Sequence, residues 1–142
     1  MRAEEIIATL GLQPHPEGGW YRQTWRSDVT DADGRPTGTA IHFLLQAGEV
    51  SHWHKVDAAE IWLYHAGAPL TLSMAADTNG PAVDHTLGAD LQAGQAPQLI
   101  VPPHHWQAAR AQGDWTLVSC TVSPGFSFDR WELAAPGFDI PR

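Results

Sequence analysis

Two histidines and a glutamate lie close together in the sequence and could bind a metal or move protons. His52 and His54 are separated by one residue, and Glu60 follows after a short loop. On a β-strand, residues i and i+2 point to the same face, so the two imidazoles are expected side by side. If the chain turns after Val56, a returning strand brings Glu60 to the same face. Two histidines and a carboxylate are the ligand set of many Fe(II) and Mn(II) sites.

Short strands separated by turns are expected to position these residues. Strand patterns recur through residues 39–133, with glycine, proline or Asn-Gly turn signals about every eight to twelve residues. A helix is predicted only near the N-terminus, where Ile6, Ile7 and Leu10 have helical spacing and Gly11 follows. This pattern predicts an all-β protein, either an antiparallel sandwich or a barrel.

Length and charge limit the domain organisation and the class of partner. The chain of 142 residues is expected to form one domain, 1–142, with a core over 10–133 and a loosely held tail over 134–142. A net charge of -8 argues against binding to nucleic acid or to an anionic membrane surface. No run approaches membrane-spanning length and no signal peptide is evident, so a cytoplasmic protein is expected. The single cysteine, Cys120, excludes an intrachain disulfide and is expected to be an inert core residue.

The histidine region and a second region resemble the two sequence motifs of cupins. The first motif supplies HxH and a glutamate, and the residues that resemble it are Gly48, His52, His54, Glu60 and Gly67. The second motif is Pro-x-Gly-x-x-His, and the residues that resemble it are Gly94, Pro97 and residues 101–107. The resemblance implies an antiparallel double-sheet jelly-roll barrel, here with a short N-terminal helix, and a pocket inside the barrel.

The resemblance is closer to one branch, a small single-domain cupin family of unassigned function that is grouped with the dTDP-sugar epimerase-like cupins. The segments that carry it are residues 14–22, 39–45, 60–62, 67–70, 101–102, 106–107 and 118–126. Membership implies a fold and a pocket, but no activity. It also implies a homodimer, to which the strand at Trp20–Arg26 is expected to contribute by pairing an open sheet edge.

The second motif departs from ordinary metal cupins. Counting from Pro102, the glycine position is His104 and the metal-histidine position is Gln107, with His105 nearby but out of register. A metal site would then consist of His52, His54, Glu60 and Gln107, and would hold Mn, Fe, Ni or Zn. The alternative is a metal-free polar pocket, in which the imidazoles bond to the carboxylate and an organic ligand binds.

Alternation along the predicted strands suggests further pocket residues. Trp62 and Tyr64 are expected on the same face as Glu60, where they either form the pocket wall or pack in the core. Tyr64 could act as an acid. His42 is either a pocket acid or base or a structural histidine, and His65 is expected outside the pocket.

The loop before the first long strand could hold a ligand. Glu17, Tyr21 and Arg22 are its reactive members, and Arg22 is the best candidate for gripping a carboxylate or phosphate. The alternative is a loop that merely guides the chain. Trp106 could stack on a sugar or aromatic ring, or could simply pack, whereas His15 is expected to be structural or on the surface.

These residues predict a pocket for a small polar molecule, carbohydrate-like or bearing a carboxylate. The pocket residues His54, Glu60, Tyr64 and His42 could carry out epimerisation or isomerisation by acid–base chemistry, and a metal-dependent reaction is the second enzymatic possibility. A non-catalytic binding or sensing module and an interaction protein with a vestigial pocket are the alternatives.

Overall fold

The computed structural model describes residues Met1 to Arg142 and contains one α-helix and eleven strands. The helix is α1 (Ala3–Leu10). The strands are β1 (Gln13–Pro14), β2 (Trp20–Arg26), β3 (Thr39–Gln46), β4 (Val50–Val56), β5 (Ala59–Gly67), β6 (Leu70–Ala75), β7 (Val83–Leu87), β8 (Gln98–Val101), β9 (Trp106–Ala111), β10 (Trp115–Ser123) and β11 (Trp131–Leu133).

The strands form two antiparallel sheets that pack face to face as a jelly roll. One sheet has the order β1-β2-β3-β10-β5-β8 and the other has the order β11-β4-β9-β6-β7. The predicted all-β jelly roll and its short N-terminal helix are confirmed. The helix ends at Gly11, which has a φ of 66°, and it packs Ile6 on Leu44 outside the larger sheet. No helix is long and apolar enough to span a membrane.

Apolar side chains fill one end of the barrel and leave the other end open. On the inner face of β3, Phe43 and Leu45 are almost completely buried, as are Leu70 and Leu72 on the opposite sheet and Val118 on β10. These residues form one continuous core. From Phe43 towards the start of β3, the inner face lines a cavity instead.

Three long strands each contain one extra residue, and these β-bulges decide which side chains enter the barrel. The pairing registers place the extra residues at Thr24 in β2, at His52 or Trp53 opposite Ala108 in β4, and at His65 in β5. Because side chains alternate along a strand, each bulge reverses the face of the residues that follow it.

The C-terminal tail is packed rather than loosely held. Ile140 is completely buried against Trp53 and Trp106, outside the smaller sheet. Asp139 accepts a hydrogen bond of 2.9 Å from the Trp53 indole, and Arg142 contacts Asp84 at 3.0 Å. The expectation for residues 134–142 was therefore wrong, because an apolar side chain and paired polar groups hold this Pro/Gly-rich segment in place.

Candidate functional site

The open end of the barrel encloses a cavity of about 350 Å³. Its walls come from the larger sheet, from β4, from the loop before β2 and from the segment after β10. The lining residues are His15, Glu17, Tyr21, Gln23, Arg26, Thr39, Ile41, Phe43, His54, Glu60, Trp62, Cys120, Val122, Phe126, Ser127 and Phe128. This volume lies near the lower end of the range for small-molecule sites, so the cavity suits a ligand the size of a monosaccharide.

A tight loop places Glu17 at the cavity floor, which consists of Glu17, His54 and Glu60. The backbone N–H of His52 donates to the Glu17 carbonyl at 2.8 Å and fastens the loop to β4. Gly18 has a φ of 109°, and a Cβ there would lie 2.0 Å from the Val50 carbonyl oxygen. Only glycine permits this approach of the loop to the strand. The carboxyl group of Glu17 is buried as a result.

Glu17 is buried next to Ser51, His54 and His15, and its burial favours the protonated form. One oxygen, Oε2, accepts a hydrogen bond from the Ser51 hydroxyl. The other, Oε1, lies 3.6 Å from Nε2 of His54 and 3.4 Å from Nδ1 of His15. Burial raises the pKa of Glu17 to about 8, although the bond from Ser51 opposes the shift. Near neutral pH this side chain is therefore a carboxylic acid that can donate a proton.

His54 presents a nitrogen lone pair to Glu17. Its Nδ1 lies 2.8 Å from the His52 carbonyl oxygen, which can only accept, so Nδ1 carries the proton. Burial also lowers the pKa of His54 and keeps the ring neutral. Nε2 is then an unprotonated acceptor, and a protonated Glu17 is its natural neighbour.

Glu60 is held by a chain of buried hydrogen bonds. The indole N–H of Trp62 donates to Oε1 of Gln107 at 2.8 Å, and Nε2 of Gln107 donates to Oε1 of Glu60 at 2.9 Å. Burial raises the pKa of Glu60 to about 7, while the hydrogen bond from Gln107 opposes the shift. Gln107 thus lies behind the cavity wall and orients Glu60, and its amide oxygen is already occupied.

His52 does not face the cavity, contrary to the expectation from its spacing. Because of the bulge in β4, Ser51 and His54 point inward while His52 turns outward. Its Nε2 donates to the carbonyl of Ala135 at 2.9 Å. Simple alternation fails here because two residues of β4 lie opposite one residue of β9.

The predicted metal ligands consequently do not form a ligand set. His52 faces the tail, and the amide oxygen of Gln107 accepts from Trp62, so only His54 and Glu60 remain at the cavity. No group of three or more His, Cys, Asp or Glu side chains has an arrangement that could hold a metal ion. The side-chain arrangement therefore does not fit the expected metal centre.

Tyr64 and His42 also lie outside the cavity. The Tyr64 hydroxyl donates to the Gly67 carbonyl at 2.6 Å, and its ring packs against the filled end of the core. His42 lies on the outer face of the larger sheet, where Nδ1 is 3.3 Å from the Ser119 hydroxyl. His65, expected outside the pocket, lies 2.6 Å from the same hydroxyl. The geometry removes Tyr64 and His42 from the catalytic candidates.

Two predicted ligand-binding residues face away from the cavity as well. Arg22 lies on the outer face of the larger sheet, and its Nη1 donates to the Leu10 carbonyl at 3.3 Å, at the end of the helix. Trp106 packs under the tail against Phe138, with Nζ of Lys55 5.0 Å from its ring centre. In contrast, Glu17, Tyr21 and Trp62 do line the cavity, as do His54 and Glu60.

His15 and Arg26 also line the cavity, although neither was expected there. His15 is buried, and its ring centre lies 4.5 Å from that of Tyr21. His15 and Glu17 are two residues apart in the same motif, and this spacing could have indicated that both face the cavity. Arg26 enters the cavity because the bulge at Thr24 turns Trp25 outward and Arg26 inward, and no sequence signal marks that bulge. Cys120 is buried as expected, and burial raises the pKa of its thiol.

Comparison with known proteins identifies the family. A family model, Cupin_5, described as Cupin superfamily (DUF985), matches residues 4–134. The chain belongs to the cupin superfamily. This agrees with the motif resemblance in the sequence, and no curated protein matches this cupin significantly.

Solved structures are similar to this cupin over most of its length. Protein SO0799 from Shewanella oneidensis is 41% identical with a TM-score of 0.90, over 95% of this chain and 85% of that one. A hypothetical protein from Leishmania major is 32% identical with a TM-score of 0.87, over 97% and 90% of the two chains. Oxalate decarboxylase from Bacillus subtilis is 14% identical with a TM-score of 0.62, over 84% of this chain and 29% of that one, and shares the fold alone.

Proposed function

We propose that this cupin binds a small polar molecule in its barrel cavity and transfers protons to and from it. The supporting observation is the pairing of Glu17 with His54, whose Oε1 and Nε2 atoms lie 3.6 Å apart at the cavity. A carboxylic acid beside an unprotonated imidazole provides an acid and a base together. The reaction class is isomerisation or epimerisation next to a carbonyl group, on a carbohydrate-like molecule or a small carboxylate.

The two side chains have complementary roles. Nε2 of His54 accepts the proton of a C–H bond next to the carbonyl, while the acid of Glu17 gives its proton to the carbonyl oxygen. This produces an enediol or enol with a protonated His54 and an ionised Glu17. Return of the proton to the neighbouring carbon gives the isomer, and return to the opposite face of the same carbon gives the epimer. In both cases a hydroxyl proton of the intermediate returns to Glu17, so both side chains are restored. A pKa of about 8 keeps Glu17 protonated near neutral pH, as the acid role requires.

The other floor residues support this chemistry. Gln107 fixes the Glu60 carboxyl through the 2.9 Å bond, so Glu60 cannot turn freely towards a ligand. Its charge, which develops above a pKa of about 7, stabilises the imidazolium that forms at His54. Phe43 and Phe126 supply apolar surface and exclude water from the reacting atoms.

Proton exchange in deuterated water tests the proposal. Aldoses, ketoses, uronates and 2-oxo acids are incubated with the protein, and loss of the C–H signal next to the carbonyl is followed by NMR. We expect exchange with at least one compound, and we expect Glu17→Gln and His54→Gln to abolish it. His52→Gln is the matched control and should retain exchange, because His52 faces away from the cavity. Exchange that survives both cavity substitutions would contradict the proposal.

A non-catalytic binding module is the second candidate. Each floor group already has a hydrogen-bonding partner within the protein: Ser51 for Glu17, Gln107 for Glu60, and a backbone carbonyl for His54. Such a site is rigid and can hold a ligand without reacting. A compound that raises the melting temperature but undergoes no exchange would favour this candidate over the enzyme.

A further inference from the structure

Arg26 is a cation at the cavity with no partner in the protein. Its side chain makes neither an ion pair nor a hydrogen bond to another protein group, although it lines the cavity wall. Arg35 shows the contrast, because it grips Asp57 with two hydrogen bonds of 3.0 and 2.7 Å. A guanidinium group offers the same paired donors to any carboxylate or phosphate that reaches it.

The strand registers place Arg26 across the cavity from the acidic floor. Arg26 pairs with Thr39, Thr39 with Val122, and Val122 with Glu60. These four residues lie in one row across β2, β3, β10 and β5, so the outer two Cα atoms are separated by three strand spacings, about 14 Å. Allowing for the two side chains, a molecule of a few bonded atoms spans the remaining gap.

The charges in the cavity favour an anionic group at the Arg26 end and not at the floor. The pKa of Glu17 is raised to about 8 and that of His15 is lowered to about 4, so both are uncharged near neutral pH. Any charge on Glu60 is negative and lies at the far end of the row. Arg26 therefore attracts an anionic group to the entrance, while the floor accepts only a neutral polar group.

We propose that the ligand is a small organic anion whose carboxylate or phosphate binds Arg26 at the entrance. Its other end carries a carbonyl or hydroxyl group that lies at Glu17 and His54. The apolar side chains of Ile41 and Phe126 contact the body of the molecule. The placement of the second end rests on the proposed function, whereas the binding of the anionic group to Arg26 does not.

Matched pairs of probes test this substrate class. Glucuronate is compared with glucose, and benzoate with benzamide, by isothermal titration calorimetry; glucose 6-phosphate distinguishes phosphate from carboxylate. In at least one of the two pairs, we expect the anion to bind about tenfold more tightly than its neutral counterpart. This difference corresponds to about 1.4 kcal/mol. Arg26→Gln should remove this preference, whereas Arg22→Gln, on the same strand but outside the barrel, should retain it.

Three results would overturn the proposal: equal binding of the neutral probes, an unchanged preference in Arg26→Gln, or no binding of any anion at millimolar concentration. The Glu17→Gln variant separates this inference from the proposed function. It should lose proton exchange and yet retain the anion preference. If the wild-type protein prefers anions but catalyses no proton exchange, only the catalytic proposal is contradicted.

Discussion

The carboxyl group of Glu17 lies 3.6 Å from Nε2 of His54, although the sequence pattern pairs His54 with His52. A loop that contains Gly18 brings Glu17 to β4, and the bulge in β4 removes His52 from the same face. The expected metal-binding pair is thereby replaced by a carboxyl group and an imidazole. We expect this relationship to make the site sensitive to pH and insensitive to chelators.

Stability should fall as pH rises from 6.5 to about 8. The folded pKa of Glu17, about 8, lies above the ordinary glutamate pKa of 4.5, so the folded state keeps a proton that the unfolded state releases. The resulting stabilisation is present at low pH and is lost as pH rises through the folded value, at up to about 1.4 kcal/mol per pH unit. Lowered histidine pKa values act in the opposite direction, but only below 6.5.

Glu17→Gln isolates this contribution because the amide remains neutral. Urea unfolding at several pH values between 6.5 and 8 should show a shallower decline in the variant than in the wild type. The same slope in both proteins would mean that Glu17 is ionised in the folded state. Glu4→Gln, at an exposed position on α1, serves as the control.

Chelators should leave the protein unchanged. Because His52 and Gln107 are engaged elsewhere, His54 and Glu60 alone make a poor metal site. Protein purified without chelators should contain less than stoichiometric Mn, Fe, Ni or Zn, and EDTA should not lower its melting temperature. Stoichiometric metal that is lost in His54→Ala would show that β4 rearranges around an ion.

Gln107→Leu should destabilise the protein strongly. The substitution leaves the Trp62 indole N–H and the Glu60 carboxyl buried without partners, each at a cost of about 1–3 kcal/mol. Chemical denaturation should therefore give a free energy of unfolding that is lower by about 2–6 kcal/mol. Gln98→Leu, at an exposed position of β8, should change it by less than about 0.5 kcal/mol. A small effect of Gln107→Leu would show that water replaces the amide.

His104→Gly should stabilise the fold. His104 is the only residue other than glycine with a positive φ, at 66°, and it occupies the glycine position of the second cupin motif. Relief of this left-handed conformation is expected to contribute about 1 kcal/mol, with His104→Asn intermediate. Melting temperatures of the two variants measure the effect. The control His105→Gly should be destabilising, and a lower stability of His104→Gly would contradict the prediction.

We expect this cupin to form a homodimer through the open edge of β2. The short strand β1 pairs only with Trp20 and Tyr21, so the rest of β2 has a free edge. Trp25 on this strand is 52% exposed. Light scattering should give a dimer, and Trp25→Lys should weaken it. Ile100→Lys, at an equally exposed position on β8, should not. A monomeric wild-type protein would refute the expectation.

Local pattern in the sequence was sufficient for the fold class. Alternating apolar residues and turn signals predicted an antiparallel sandwich or barrel, the helix before Gly11 and the burial of Cys120. The resemblance to cupins implied the jelly roll and placed His104 at the glycine position of the second motif. These features depend on residues that are neighbours in the chain or on a strand. Local chemistry is therefore enough to predict them.

Only the tertiary structure decided which polar side chains meet. A bulge depends on how two strands pair, so neither the outward turn of His52 nor the inward turn of Arg26 follows from alternation. The packing of the tail through Ile140 depends likewise on a distant sheet face. One extra residue in β4 turned His52 away from the cavity, and a loop distant from His54 in the sequence placed Glu17 beside His54 instead.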